Sequence, residues 1–165
     1  VVACGSAQRI TSGFLQENRS SYNAITDEDR FTASHTPDGE IWQLIGVAAA
    51  PEARGLKLGR KLVDQQLANA RGTPGIRRII GFTRPAGYHR HAGLPIDEYL
   101  QRVSAGLNHR PPSSSRIPAE KADSLHDAVL AFHLRAGARI VSVHPGFRPN
   151  DRDACGYGVL IEYPV

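Results

Sequence analysis

The feature that most constrains the fold is a long apolar segment followed at once by a basic, glycine-containing helical pattern. Residues 40–50, EIWQLIGVAAA, are too continuously apolar for a strand with one face in water, so they predict a central strand of a sheet. Pro51 ends this strand, and a helix with one apolar face is predicted from about Arg54 to Arg71. The next strand is predicted at residues 76–83, IRRIIGFT. This order predicts a right-handed crossover between two parallel strands.

The other segments predict an α/β domain whose mixed central sheet is flanked by helices. A strand is predicted at residues 1–10, a helix at residues 124–137, and two strands in ARIVSVHPGF and GYGVLIEY. The Pro-, Gly- and Ser-rich stretch 84–123 has no sustained periodicity apart from a short helical pattern in IDEYLQRV, so a long functional loop is expected there. Residues 1–165 are interpreted as one domain.

Composition excludes several classes of function. Of the 165 residues 41% are hydrophobic and 22% are charged, as in folded soluble proteins. The net charge of +4 favours anionic partners, but no Lys/Arg tract typical of nucleic-acid binding is present. No apolar run approaches the roughly 20 residues that span a bilayer. We therefore expect no nucleic acid or membrane as partner, and a cytoplasmic location. Because the sequence has no methionine, even at position 1, we expect that the chain was processed, excised from a longer protein or covered only in part.

Basic residues cluster where the predicted helix begins. They are Arg54, Lys57, Arg60 and Lys61. Cations at a helix N-terminus cost about 0.3–1 kcal/mol each unless something offsets them. Either these side chains all extend into water, or a multiply charged anion binds there. Free N–H groups at the helix start, with Gly55 and Gly59 between the cations, favour a phosphate or pyrophosphate. The spacing matches neither GxxxxGK[ST] nor GxGxxG.

The segment VAAAPEARGLKLGRKLV resembles the acyl-CoA-binding segment of the GNAT (Gcn5-related) acyltransferase superfamily, which reads Q/R-x-x-G-x-G/A. Arg54 matches its first position and Gly59 its last, while Lys57 stands where the middle glycine is usual. The resemblance implies a GNAT fold and a coenzyme A thioester as substrate. The residues it implies in binding are Val47, Ala48, Arg54, Gly55, Leu56, Lys57, Leu58, Gly59 and Arg60.

A second segment narrows the resemblance. DAVLAFHLRAGARIV resembles the superfamily's A-x-x-F-Y-x-x-x-G-F helix, with Phe132 and Gly137 in place and His133 where tyrosine is usual. With AQRI, FTRP, IDEYL and HPGFRPND…GYGVLIEY, this is similar to the GNAT-like domains that load starter units in some polyketide synthases. The first strand and helices expected for a GNAT fold are absent before Val1, so that part of the fold is expected to lie outside this chain.

The resemblance implies decarboxylation of a malonyl-type thioester, with or without acyl transfer to the thiol of an acyl carrier protein. Acetyl-CoA, malonyl-CoA and methylmalonyl-CoA are the implied substrates, and no metal is implied. Loss of carbon dioxide leaves an enolate, which needs hydrogen-bond donors at its oxygen and an acid for its carbon. His133 is the first candidate, because imidazole has an unperturbed pKa of about 6.5. Thr83 offers a hydroxyl at a strand end. The guanidinium of Arg148 offers two parallel N–H donors to the substrate carboxylate.

Each assignment has an alternative. Without the resemblance, His133 is better interpreted as a core histidine, while Thr83 could be an ordinary strand-end residue and Arg148 a surface arginine. The chain could instead N-acetylate a small amine, although a histidine at position 133 argues against this. It could also bind acyl-CoA without catalysis, which Lys57 in the glycine position favours.

Four other features are given weaker interpretations. Trp42 lies on the central strand, but the spacing does not align it with the tryptophan that lines the pocket in the loading domains. YHRH, at 88–91, is interpreted as a solvent-facing loop, because no Cys or carboxylate spacing completes a metal site. Cys155 is interpreted as a small buried side chain. Cys4 and Cys155 are too few for a disulfide framework.

Overall fold

The computed structural model describes residues 2–53, 55–108 and 125–165. The strands are Ala3–Ile10 (β1), Ile41–Ala49 (β2), Arg78–Thr83 (β3), Arg139–His144 (β4) and Gly158–Tyr163 (β5). The helices are Ser12–Asn18 (α1), Tyr22–Thr26 (α2), Leu58–Gly72 (α3), Ile96–Asn108 (α4) and Ala128–Arg135 (α5). Short 3-10 turns lie at Pro51–Ala53 and Tyr88–His91.

The five strands form one mixed sheet in the order β1-β2-β3-β5-β4. β2 and β3 are parallel, as the strand–helix–strand pattern predicted, and the other neighbours are antiparallel. The predicted α/β class with a mixed sheet is therefore confirmed. β2 is an interior strand, although β3 occupies the middle of the sheet.

The apolar residues form two clusters, one on each face of the sheet. The first joins the sheet to α3, α4 and α5, and its buried members are Leu44, Val63, Leu67, Ala70, Ile79, Tyr88, Tyr99, Leu100, Val103, Leu130, Val159, Ile161 and Tyr163. The second joins it to α1 and α2, with Ile10, Leu15, Ile25, Ile41, Ile80, Phe147 and Leu160. The division follows from the alternation of side chains along a strand, which sends neighbours such as Ile79 and Ile80 to opposite faces. Helices therefore flank both faces of the sheet.

β2 and β3 diverge partway along their length. Their pairing runs from Ile41–Arg78 to Leu44–Gly81 and then stops, although both strands continue. Residues 45–49 of β2 pair only with β1, and the end of β3 pairs only with β5. A cleft opens between the two strands. The expectation that β2 is shielded along its whole length is wrong for Gly46, Ala48 and Ala49, which are exposed because they border this cleft.

The predicted loop 84–123 contains a helix that the sequence analysis underestimated. α4 extends over 13 residues, and its side chains Tyr99, Leu100 and Val103 are buried in the core. Their spacing is that of one helical face, but the flanking Pro and Gly residues concealed it. The remainder of the predicted loop, residues 109–124, lies outside the described residues.

Asp127 ties α4 and α5 together. Its carboxylate is 1% exposed and accepts hydrogen bonds from the Val129 and Leu130 N–H groups, each at 3.0 Å. It also accepts from the Tyr99 hydroxyl at 2.9 Å and the Gly87 N–H at 2.8 Å. Asp127 is thus the cap of α5, and the helix begins four residues later than predicted because this carboxylate saturates its first N–H groups. Ser124, where the helix was predicted to begin, lies outside the described residues.

Replacing Asp127 with alanine is expected to lower the free energy of unfolding by at least about 3 kcal/mol, since several buried donors lose their acceptor at about 1–3 kcal/mol each. Urea unfolding of both proteins measures the change. Thr11→Ala is the matched control, because Thr11 caps α1 through a single bond to the Phe14 N–H and should cost only about 1 kcal/mol. Equal losses in the two variants would contradict the assigned role of Asp127.

Candidate active site

The cleft between the diverging ends of β2 and β3 has a volume of about 560 Å³. Its lining combines the splayed strand ends with faces of α3 and α5: Ser6, Leu44, Ile45, Gly46, Val47, Ala48, Ala49, Gly59, Val63, Gln66, Gly81, Phe82, Thr83, Arg84, Ala128, Val129, Phe132, His133, Arg148, Ile161 and Tyr163. Most of these side chains are apolar, and none of the described lining residues is Asp or Glu. Such a cleft suits a long, uncharged chain that carries an anionic group.

All three predicted catalytic residues line this one cleft. Thr83 comes from the end of β3, His133 from α5, and Arg148 from the connection between β4 and β5. Val47, Ala48 and Gly59, predicted to bind the coenzyme, line it as well. The fold therefore gathers residues that are far apart in the chain, as the resemblance implied.

His133 contacts a tyrosine that the sequence analysis did not single out. Its Nδ1 atom lies 2.6 Å from the hydroxyl oxygen of Tyr163, at the end of β5. Burial lowers the pKa of His133 to about 4, and burial raises the pKa of Tyr163 above its usual value. Burial therefore favours the neutral form of both side chains near pH 7. His133 differs in this respect from the unperturbed imidazole that was considered as the acid.

Thr83 presents an unpaired hydroxyl. The residue is 6% exposed, and its Oγ1 atom is buried without a hydrogen-bond partner among the described residues. A buried hydroxyl left unpaired costs about 1–3 kcal/mol, so native proteins rarely keep one without a reason. In the cleft, this hydroxyl is free to bond a ligand atom.

Arg148 and Arg84 both lie in the described lining of the cleft, and their partners differ. Its guanidinium carbon lies 3.5 Å from the centre of the Tyr22 ring, and no Asp or Glu in the described ranges forms an ion pair with it. Arg84, the other arginine of the lining, is already bonded to Asp151 at 2.7 Å and to Asp153 at 3.1 Å. The two cations are therefore not equivalent.

The predicted anion site at the start of α3 has an unusual backbone. Lys57 is the residue before the helix and adopts a left-handed conformation, with φ of 55°. This strained geometry favours glycine, which explains why the superfamily motif has glycine there. Among the described residues no side chain caps the helix, and its first turn contains no acidic residue, so its N–H groups remain available to an anion.

The other predicted coenzyme residues differ in placement. Gly55, Leu56, Lys57 and Leu58 lie next to the cleft along the chain but do not line it. Arg60 also does not line it, because its guanidinium bonds Asp64 at 2.8 Å and the Arg135 carbonyl at 3.0 Å. Arg54 lies outside the described residues. Their binding of coenzyme A stays a prediction.

The sequence analysis missed Tyr163, although a signal for its position exists. Val159, Ile161 and Tyr163 alternate along β5 and so share the face toward α5. Alternation predicts a shared face but does not reveal which helix residue lies opposite. Only the packing of α5 on the sheet identifies His133 as the partner of this hydroxyl.

The cleft lining does not include Trp42, Cys155 or the YHRH segment. Trp42 is partly buried in the core and does not line the cleft. Cys155 is exposed, at φ of 49°, so the expectation of a buried side chain is wrong; its turn lies on the surface. His89 is exposed and contacts the carbonyl of Asp153, while Tyr88 beside it is buried, so the YHRH segment is not wholly solvent-facing.

No helix in the described ranges is long and apolar enough to cross a membrane. No group of three or more His, Cys, Asp or Glu side chains there could hold a metal ion.

Comparison with known proteins gives one curated relative and several similar structures. No family model matches the chain. It is 27% identical over 161 residues to the probable hydrolase YhcX of Bacillus subtilis (strain 168), and it spans 28% of that protein's length. The solved structure of the GphF GNAT-like decarboxylase in complex with isobutyryl-CoA is 30% identical, with a TM-score of 0.72 over 99% of this chain and 72% of that one.

Two further structures share the fold. The loading GNATL domain of CurA from Lyngbya majuscula is 26% identical, with a TM-score of 0.71 over 98% of this chain and 70% of that one. Malonyl-CoA decarboxylase from Agrobacterium vitis is 18% identical, with a TM-score of 0.65, and the match covers 99% of this chain and 47% of that one.

The splayed parallel strands, the helix start beside them and these likenesses define a GNAT fold. At 30% identity over 99% of its length, the chain belongs to the GNAT-like family that includes the GphF decarboxylase.

Proposed function

We propose that this domain binds a malonyl- or methylmalonyl-type coenzyme A thioester in the cleft and removes its carboxylate as carbon dioxide. The observation that carries the proposal is the convergence of Thr83, His133 and Arg148 in one apolar cleft whose described lining holds no carboxylate. The likeness to the GphF protein, described as a decarboxylase in complex with isobutyryl-CoA, supports both the ligand and the reaction.

The three side chains take distinct roles in the proposed reaction. Arg148 holds the substrate carboxylate through paired hydrogen bonds. The bond between the carboxylate carbon and the α-carbon then breaks, and its electron pair moves into the thioester to give an enolate as carbon dioxide leaves. The Thr83 hydroxyl and an N–H of His133 donate to the enolate oxygen. Because His133 is neutral, the α-carbon takes its proton from water entering the open cleft, which yields an acetyl or propionyl thioester. The hydroxide that remains combines with the carbon dioxide as bicarbonate.

Coenzyme A lies along the cleft in this proposal. The acyl end reaches Thr83, and the pantetheine passes between the edge of β2 and Gly59 of α3. Because Gly59 has no Cβ, the passage beside Phe132 stays open; an added Cβ would lie 3.8 Å from that ring. The pyrophosphate accepts hydrogen bonds from the first N–H groups of α3.

The acyl group is further proposed to pass to the thiol of an acyl carrier protein. The likeness to the loading GNATL domain of CurA supports this step. The carrier thiol attacks the thioester carbonyl, and coenzyme A leaves as the thiol. Transfer to the carrier protein is thus a second activity. It must follow decarboxylation only if the acyl group that reaches the carrier protein has no carboxylate.

Mass spectrometry of the protein incubated with malonyl-CoA and methylmalonyl-CoA tests the proposal. Acetyl-CoA and propionyl-CoA are the expected products, and a candidate carrier protein included in parallel would gain the acyl mass. Intact malonyl-CoA together with acetylation of an amine would instead show a conventional N-acetyltransferase. A rise in melting temperature with coenzyme A but no turnover would show a binding module.

Arg148→Gln should raise KM for malonyl-CoA about 10- to 100-fold, because a charge-assisted hydrogen bond contributes about 1.5–3 kcal/mol. The dissociation constant of acetyl-CoA should stay unchanged, since that ligand has no carboxylate. Steady-state kinetics gives KM for malonyl-CoA, and calorimetry gives the dissociation constant of acetyl-CoA. Arg152→Gln, an exposed arginine four residues along the same connection, is the matched control. Equal weakening of both ligands would contradict a carboxylate role for Arg148.

A further inference from the structure

The hydroxyl of Tyr163 affects which ring nitrogen of His133 carries the proton. This inference rests on the proposed function. Tyr163 is 2% exposed at the end of β5, and its hydroxyl oxygen lies 2.6 Å from Nδ1 of His133. No other hydrogen bond to this hydroxyl exists in the described part of the chain. The opposite ring nitrogen of His133, Nε2, has no protein partner there and is not among the buried unpaired atoms. Nε2 is therefore the nitrogen that the cleft can reach.

Hydrogen-bond accounting distinguishes the two neutral forms of His133. If Nδ1 carried the proton, it would donate to the Tyr163 oxygen, and the hydroxyl hydrogen of Tyr163 would have no acceptor among the described residues. If Nδ1 is unprotonated, the Tyr163 hydroxyl donates to it and this hydrogen is paired. Buried donors are almost always satisfied, so the second arrangement is favoured.

We propose that Tyr163 is a positioning residue that donates its hydroxyl to Nδ1 of His133, so that the neutral imidazole presents Nε2–H to the thioester oxygen in the cleft. His133 then acts as a fixed hydrogen-bond donor and does not shuttle protons. The alternative form would point a lone pair at the developing enolate and repel it. Tyr163 itself does not touch the substrate in this arrangement.

The local packing gives the pair its rigidity. Tyr163 pairs with Ile79 in the centre of the sheet, and His133 lies on α5 against the ring of Phe132. Tyr163 is 2% exposed, so its ring cannot turn away without disturbing the core, and its hydroxyl is held beside His133 before substrate arrives. A preorganised donor of this kind avoids reorganisation during the reaction.

Nitrogen-15 NMR of histidine-labelled protein at pH 7 tests the proposal directly. The chain has seven histidines, and the signals of His133 are those missing from the His133→Ala spectrum. We expect an unprotonated Nδ1 and a protonated Nε2. A protonated Nδ1 in the wild-type protein would overturn the proposal whatever the activity, and this readout does not require any variant at position 163 to fold.

Kinetics of Tyr163→Phe supply the second arm. This change removes only the hydroxyl, so the His133 ring stays but samples both neutral forms. The value of kcat for malonyl-CoA should then fall in proportion to the share of His133 that leaves the donor form, about twofold for an even mixture, with KM nearly unchanged. Its NMR signals should shift toward a mixture of the two forms. Tyr88→Phe is the matched control, since that buried hydroxyl bonds the Leu94 carbonyl at 2.7 Å away from the cleft.

The outcomes separate the two proposals. If the wild-type protein decarboxylates malonyl-CoA and Tyr163→Phe does so with the same kcat, the role of Tyr163 is overturned and the proposed function stands. Absence of malonyl-CoA turnover in the wild-type protein would overturn the proposed function, while the NMR measurement would still decide which nitrogen of His133 carries the proton. Equal losses in Tyr163→Phe and Tyr88→Phe would reduce the effect to core packing and would also overturn the role.

Discussion

His133→Ala is expected to lower kcat for malonyl-CoA decarboxylation by about 100- to 1,000-fold, because it removes a preorganised donor to the enolate oxygen. KM should change much less, since the carboxylate and the coenzyme are held elsewhere in the cleft. Steady-state measurement of acetyl-CoA formation makes the comparison. His126→Ala is the control, because His126 is an exposed histidine close to the start of α5. Similar rates for His133→Ala and the wild-type protein would remove His133 from the mechanism.

The pH profile of the same reaction tests the protonation state in which His133 acts. Burial lowers its pKa to about 4, so the neutral donor form persists at every pH above that value. Activity that depends on His133 should therefore show no step near pH 6.5 and should fall only as the pH drops through about 4. Burial raises the pKa of Tyr163 above its usual value, so this hydroxyl stays neutral over the same range. A step near pH 6.5 that disappears in His133→Ala would show that His133 acts in its protonated form.

Thr83→Val is expected to have opposite effects on activity and stability. Loss of the second donor should lower kcat by about 100-fold. The free energy of unfolding should rise by about 1 kcal/mol, because valine has the shape of threonine without its unpaired buried hydroxyl. Unfolding in urea and steady-state kinetics measure the two effects on the same samples.

The matched control for Thr83→Val is a buried threonine whose hydroxyl is satisfied. Thr26 is 0% exposed, donates to the Tyr22 carbonyl at 2.8 Å and accepts from the Asp29 N–H at 3.2 Å. Thr26→Val should therefore lower the free energy of unfolding by about 1–3 kcal/mol. Destabilisation of both variants to the same extent would show that the hydroxyl of Thr83 has a structural partner and is not reserved for a ligand.

The elements that the sequence predicted well are those whose signal is local. The apolar run of β2, the amphipathic face of α3 and the strand at residues 76–83 each follow from spacing along a short segment, and their parallel arrangement follows from chain order. α4 was underestimated because three buried residues, Tyr99, Leu100 and Val103, give a weak pattern between flanking Pro and Gly residues. The extent of a helix in such a segment depends on what it packs against.

For the candidate site, the identity of the residues could be proposed from the sequence, whereas their environment could not. Thr83, His133 and Arg148 were proposed from a resemblance of motifs, and the structure adds that they share one cleft. The environment of each could not be derived from the sequence. The neutral state of His133 comes from burial by residues distant in the chain. The difference between Arg148 and Arg84 comes from where Asp151 lies.

By itself the sequence determined the class of fold, because hydrophobic periodicity acts over a few neighbouring residues. It predicted that the basic helix begins near residue 54, whereas α3 begins at Leu58. Only the tertiary structure decided the charge of His133, its contact with Tyr163 and the unpaired state of the Thr83 hydroxyl. Those properties arise from desolvation and hydrogen bonding between segments that packing alone brings together.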